Sequence, residues 1–262
     1  MNISSPETPK KQGKRRILAI GPPGGRKTTS IMSFPKVAFF DVDGNLDGPR
    51  FAIKKITGKE PTFGHVTIGV KADGSPLLIH QRYEHLVDEM TAFRNEQAQG
   101  KSDFQFACVD GLRNVGEDIK AFLMHAQKRE AMETRDWDPY KTKMLKVVFH
   151  LAMEINAHVV FTCHEREVWE TTGDKKEMMK LFLKGYEPML QGGIQGGFSG
   201  FFTDVWRFST ELAPGNVSET QICSVKTAKS PDLKSSIGMP PIITIKQNEL
   251  AWSKLEPFFT AL

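Results

Sequence analysis

The sequence predicts an α/β fold with a mostly parallel sheet and antiparallel strands toward the C-terminus. Three observations predict it. Short apolar runs alternate with amphipathic helical patterns as far as residue 164, as expected for strands joined by crossover helices. Beyond residue 164 strand-like runs dominate. The first apolar run feeds straight into a Gly-Pro turn and a short helix, the arrangement found at the ligand crevice of open parallel sheets. With 262 residues the chain has room for one large domain or two small ones. It shows no internal repeat and no long low-complexity segment. The reading is therefore a flexible basic arm over residues 1–14 and a single domain over residues 15–262.

In order, Arg15–Ile20 reads as a buried strand, Gly21–Gly25 as a turn-rich loop and Lys27–Ser33 as a short helix. Val37–Val42 is a second strand, ending in Asp41-Val42-Asp43-Gly44. A loop-rich stretch follows, marked by Gly58, Pro61, Gly64, Gly69, Gly74 and Pro76. Gln81–Gln99 has helical spacing at Leu86, Met90 and Phe93. Phe104–Val109 is a third strand closed by Asp110-Gly111, and Val115–Met132 a helix with Ile119, Phe122, Leu123 and Ala126 on one face. Trp137-Asp138-Pro139-Tyr140 is expected to break the chain before a helix over Lys143–Asn156. His158–Cys163 is a fourth strand, and Val168–Leu183 a hairpin turning at Gly173-Asp174. Val205–Phe208, Gln221–Val225 and Ile242–Ile245 read as late strands.

Composition excludes several classes. Hydrophobic residues make up 39% and charged residues 25%, which fits neither a disordered nor a membrane chain. No apolar run approaches the length of a membrane span, and the N-terminus lacks the apolar core of a signal peptide. The net charge of +4 is carried by the first 16 residues, where Lys10, Lys11, Lys14, Arg15 and Arg16 face only Glu7. The remainder balances, so only the arm has polycationic character. Cys108, Cys163 and Cys223 sit apart in hydrophobic runs, read as reduced core residues in a cytoplasmic protein.

The strongest motif is Gly21-Pro22-Pro23-Gly24-Gly25-Arg26-Lys27-Thr28-Thr29. A phosphate loop needs a strand, a Gly-rich turn that aims N–H groups inward, a Lys for the outer phosphates and a Ser/Thr opening a helix to ligate magnesium. Lys27 and Thr28 fill those last two roles. One position departs: Arg26 stands where glycine is usual before the Lys. A Cβ there crowds the phosphates or resists the required backbone angles, unless Gly24-Gly25 lets the loop adjust.

Phosphoryl transfer also needs an acid for the metal and a group to orient water. Asp110, closing a strand, suits the metal. Asp43, at the end of the strand after the loop, suits the water, with Asp41 as competitor and an Asx turn with Gly44 as the purely structural alternative. His164, ending the fourth strand, is placed to sense the terminal phosphate, the alternative being a surface cap. Cys163-His164 is no protease pair, since adjacent strand residues point to opposite faces.

These motifs, in this order, resemble the RecA-like core of P-loop NTPases, and more closely the short phage-encoded RecA-like ATP-binding proteins of AAA type linked to single-strand annealing and recombination. The resemblance rests on Arg16–Pro23, Phe34-Pro35 with Phe39–Gly44, Val109–Gly111 and Val160–Glu165, and spans residues 15–245. It implies ATP and Mg²⁺ as ligands, with Gly21–Thr29 cradling the nucleotide. It makes Asp43 the counterpart of the water-activating Glu, His164 the sensor and residues 165–200 the DNA-binding segment. It places Lys226 and Lys229 near the phosphates of a neighbouring subunit in a ring or filament. Single-stranded DNA is the implied partner, and the cytoplasm (of the host, for a phage protein) the implied location.

The residues themselves speak less firmly for DNA. Arg166, Lys175, Lys176, Lys180 and Lys184, with Trp169 and Phe182, are interleaved with Glu167, Glu170, Asp174 and Glu177, so a solvated hairpin reads as well as a stacking groove. Trp137 and Tyr140 read as core or as a surface for the base. Two other functions stay open. One is a nucleotide-gated DNA-binding module without hydrolysis, motivated by Arg26. The other is a small-molecule P-loop kinase with Arg129 and Arg135 as its lid.

Overall fold

The computed structural model describes residues 13–172, 180–191, 197–213, 217–224, 226 and 232–260. Among these, nine strands form one sheet: β1 (Arg16–Gly21), β2 (Val37–Asp41), β3 (Gly64–Thr67), β4 (Phe106–Asp110), β5 (His158–Thr172), β6 (Lys180–Pro188), β7 (Asp204–Ala213), β8 (Val217–Cys223) and β9 (Ile242–Ile245). Their order is β3-β2-β4-β5-β1-β7-β8-β9, with β6 paired to β5. Pairings from β3 across to β7 are parallel, while β5–β6, β7–β8 and β8–β9 are antiparallel. The fold is thus the expected one: a mostly parallel α/β sheet with antiparallel strands at the C-terminal end.

Strand alternation divides the core between two faces. Leu18, Ile20, Phe40, Val109 and Phe161 pack on one side, toward α3 (Ile79–Ala98), α4 (Leu112–Ala126) and α5 (Trp137–Leu145). Ile17, Ala19, Phe39, Phe106, Cys108, Val160 and Trp206 pack on the other, toward α1 (Lys27–Met32), α2 (Asp47–Thr57) and α7 (Ala251–Thr260). Cys108 and Cys163 are fully buried and Cys223 partly so. Among the described residues no helix is long and apolar enough to cross a membrane.

Several elements differ from expectation. The stretch after Gly44 contains α2 and β3 rather than loop alone. Ile53 is the one buried residue of α2, which leaves little hydrophobic period to read, and Pro49 sits in its first turn, where proline costs no helical hydrogen bond. For the same reason Pro139 does not break the chain at residues 137–140; it lies in the first turn of α5. That helix passes into a π-helical segment, Lys146–Leu151, and a last turn, α6 (Ala152–Glu154). Helix α4 stops at Ala126, not Met132, because Lys128 takes a left-handed φ of 53° and Arg129 N–H bonds back to the Met124 carbonyl. The fourth strand and the hairpin are continuous: β5 runs unbroken for 15 residues before its partner β6. The hairpin turn at Gly173-Asp174 lies outside the described residues.

Helix α7 was not anticipated and braces the site. Its Trp252 ring packs 5.2 Å from Phe34, Phe259 packs 5.4 Å from Phe106, and Trp252 N–H donates to Ser33 Oγ at 2.9 Å. Ser33 caps α1, so the C-terminus clamps the helix that follows the Gly-Pro turn. Aromatic pairs of this kind add about 0.5–1.5 kcal/mol each beyond area burial.

Candidate active site

The parallel strands end in a row. Gly21 of β1 lies beside His164 of β5, and Asp110 of β4 beside Asp41 of β2. Such strand ends face the crevice in which parallel sheets bind ligands. Between β1 and α1 the chain makes a tight turn, closed by Gly25 N–H donating to the Pro22 carbonyl at 3.1 Å. Gly21 is required by space: a Cβ there would lie 2.3 Å from the Phe208 carbonyl oxygen of β7.

Arg26 holds φ 59° and ψ 23°, the left-handed region, at the N-cap of α1. The loop has therefore not adjusted around the missing glycine through Gly24-Gly25. The arginine itself adopts the backbone shape that glycine would take, at a steric cost of about 1–2 kcal/mol. Its guanidinium is half-buried, and burial lowers its pKa.

Lys27, Thr28 and Asp110 come together as expected for a phosphate loop. Lys27 is 7% exposed, and its Nζ donates to the carbonyls of Gly21 and Pro22 at 3.0 Å each. Burial lowers its pKa, opposed by the charges of Asp110, Glu165 and Asp43. Thr28 Oγ1 donates to Asp110 Oδ1 at 2.9 Å. Thr162 Oγ1 donates to the same oxygen at 2.6 Å and accepts from Gly111 N–H at 2.9 Å. Burial pushes Asp110 up to about 6, against the pull of the two hydroxyl donors. A buried carboxylate converging with a hydroxyl oxygen is a hard-oxygen donor set that suits Mg²⁺.

The chain beyond β2 hooks over β4: Val42 and Asp43 N–H both bond the Asp110 carbonyl. This brings Asp43 into the cavity, where Asn114 Nδ2 donates to its Oδ1 at 2.7 Å. Partial desolvation raises the pKa of Asp43, with Asp41 adding to the rise and Lys27 and Arg113 opposing it. Gly111, at φ 102°, lies directly beneath: a Cβ there would collide with the Asp43 carboxylate. Asp41 does the structural work instead. It is buried, and its Oδ1 accepts from Gly44 N–H at 2.7 Å while Oδ2 faces His65. The Asx-type turn with Gly44 thus belongs to Asp41, not Asp43.

These residues surround a cavity of about 360 Å³ lined by the loop, Asp43, Asp110, Arg113, Thr162 and His164. His164 is half-buried. Burial, Lys27 and Arg113 all lower its pKa. Its Nδ1 is buried and has no hydrogen-bond partner among the described residues. A second cavity of about 710 Å³ adjoins on Arg26, walled by Phe51, Lys55, Glu219 and Lys246–Asn248, with Phe51 70% exposed.

Other candidates lie elsewhere. Tyr140 is buried and Trp137 packs against the same core, so neither forms a surface for the base. Arg129 pairs with Asp136 and Glu133, and Arg135 with Glu133; neither lines the cavity. The kinase lid has no support there. Arg166 pairs with Glu187 at 2.8 Å across the β5–β6 hairpin, and Lys184 is exposed on β6. Lys180 belongs to β6 by its backbone; its side chain, like Lys175, Lys176, Lys229 and the arm through residue 12, lies outside the described residues. Lys226 is exposed and does not line the cavity.

The sequence reading missed Thr162, Arg113, Asn114 and the second cavity. Thr162 had a signal, being two residues before His164 on one strand and hence on the same face. Arg113 and Asn114 had one too, in the first turn of the helix that follows Asp110.

A family model described as an AAA domain matches residues 13–231. No curated protein matches the chain.

Proposed function

The chain belongs to the AAA-domain family of P-loop ATPases, and on that premise we propose that it hydrolyses ATP with magnesium and uses the cycle to act on single-stranded DNA. One observation carries the hydrolytic part: Thr28 and Thr162 both bond Asp110 Oδ1, beside a buried Lys27, in a cavity that also holds Asp43. The loop N–H groups and the α1 N-terminus bind the phosphates, and Lys27 the outer ones. Thr28 and Asp110 would hold a magnesium ion, which would neutralise charge on the phosphates. Asp43, oriented by Asn114, accepts a hydrogen bond from the attacking water and positions it. The second cavity, which meets the first at Arg26 and carries exposed Phe51, has room for the base.

The DNA part rests on the hairpin. His164 sits at the point where β5 leaves the parallel sheet, and from there the strand continues into a hairpin carrying Arg166, exposed Trp169 and Lys184. Cation and aromatic together are what single-strand binding requires. Annealing or recombination in an oligomer is the proposed output, with Lys226 and Lys229 as contacts between subunits.

The test is phosphate release from ATP with and without single-stranded DNA. The wild type hydrolyses ATP, DNA stimulates it, and Lys27→Ala and Asp110→Asn abolish it. Absence of hydrolysis with ATP still bound would instead support a nucleotide-gated binding module.

A further inference from the structure

Arg113 is the second residue of α4, three beyond Asp110. A cation at a helix N-terminus opposes the helix dipole, at about 0.3–1 kcal/mol, so helix stability does not explain its position. Its side chain is exposed and lines the phosphate-loop cavity. Among the described residues the guanidinium makes no hydrogen bond or ion pair. The nearby carboxylate, Asp43, is held by Asn114 instead. Yet the charge of Arg113 reaches into the site, lowering the pKa of both Asp43 and His164. An unpaired cation therefore stands on the α4 wall, close to the groups that handle water and the terminal phosphate.

We infer that Arg113 is a catalytic residue that stabilises the transferred phosphoryl group from within its own subunit. This deepens the hydrolytic reading and rests on it. In the reaction, the water oxygen bonds to the γ-phosphorus and the bond to the bridging oxygen breaks, its electron pair leaving with ADP. The proton released from water passes through the Asp43 carboxylate to solvent. Charge spreads over the three equatorial oxygens of the transferred group. Asp43, an anion beside an anion, would repel that charge unless a cation stood with it. Arg113 supplies the cation, with a planar fork suited to phosphate oxygens. A neighbouring subunit then has no need to complete the site for basal turnover, and Lys226 and Lys229 become modulators of it.

The experiment uses the full chain with Arg113→Ala and Arg113→Lys. Steady-state turnover should fall roughly 100-fold or more in Arg113→Ala, since a phosphate-stabilising arginine contributes about 10³–10⁵ in rate. Calorimetry should show ADP binding within about threefold of wild type, but ADP with aluminium fluoride, which mimics the transferred group, bound roughly 100-fold more weakly. Arg113→Lys should recover only part of each loss. The Arg113→Ala unfolding midpoint should equal or exceed that of the wild type. Mixing Arg113→Ala with Lys27→Ala subunits should restore no hydrolysis, because each mixed site still lacks one group. Unchanged aluminium-fluoride affinity, or activity restored on mixing, would overturn the assignment. A wild type that neither hydrolyses ATP nor binds ADP with aluminium fluoride would remove the hydrolytic reading itself, and the inference with it.

Discussion

Replacing Arg26 by glycine should stabilise the protein and weaken nucleotide binding at once. The residue holds φ 59°, ψ 23°, which costs an L-residue about 1–2 kcal/mol. Glycine removes that strain but loses about 0.5–1 kcal/mol through the greater freedom of its unfolded chain. The net is a gain of about 0.5–1 kcal/mol, or roughly 1–4 °C in Tm for a chain of this size. Arg26→Ala keeps the strained backbone and should show no such gain. Binding should move the other way. The guanidinium sits half-buried where the two cavities meet, with no ion-pair partner among the described residues. A charge-assisted bond to phosphate is worth about 1.5–3 kcal/mol, less where solvent reaches it. ATP affinity should therefore fall roughly tenfold in both Arg26→Gly and Arg26→Ala. Urea unfolding gives the first quantity, from the midpoint at unchanged slope, and calorimetry the second. A loss of 1 kcal/mol or more in Arg26→Gly would refute the strained-backbone argument. Unchanged ATP affinity in both variants would refute the role given to the side chain.

Two further perturbations address the strand ends. Asp110 has its pKa raised to about 6, so it must lose a proton to hold magnesium, and apparent Mg²⁺ affinity should fall about tenfold per pH unit below that value. Without magnesium the sign for stability is opposite. A carboxyl whose folded pKa lies above its unfolded one contributes most below pH ~4, and that contribution is lost as pH rises through 6. Going from pH 7 to 5 should thus stabilise the wild type by about 1 kcal/mol relative to Asp110→Asn; equal pH slopes for the two proteins would refute this. Gly111→Ala drives a methyl group into the Asp43 carboxylate at a left-handed φ. It should cost about 1–3 kcal/mol in urea unfolding and abolish hydrolysis while leaving ADP affinity intact. Full activity in this variant would show that Asp43 is not held where its carboxylate matters.

What the sequence made legible was whatever depends on local chemistry. A Gly-Pro turn between strand and helix, and an acid at the end of an apolar run, announce themselves because few other structures use them. Asp110 and Lys27 are of this kind. The choice between Asp41 and Asp43 was not, because it depends on how the chain turns after β2. There the two N–H groups of Val42 and Asp43 bond the carbonyl of a different strand, and no local pattern encodes that. Helices α2 and α7 escaped for a related reason. Their first turns or interiors contain proline, and they bury only one or two residues each. Arg26 misled in a third way: its chemistry was plain, but whether the loop or the arginine would yield is a question of backbone energy.

If His164 senses the terminal phosphate as proposed, the continuity of β5 sets how nucleotide state would reach the hairpin. A sensor followed by a mobile loop transmits by ordering and disordering. A sensor within a 15-residue strand transmits by displacement of a paired element. The element is tied on both sides. Gly21 lies beside His164 in the parallel register, and the next residue, Glu165, takes a bidentate ion pair from Arg207 of β7 at 2.7 and 2.8 Å. Arg207 in turn lies 3.8 Å from the ring centre of Tyr186, on β6. Glu165 is 8% exposed, so its carboxylate relies on Arg207 for compensation of its charge. Phosphate loop, the end of the parallel part of β5 and the hairpin base are therefore joined by direct contacts. On the proposed function, a movement of His164 is expected to carry the hairpin base with it.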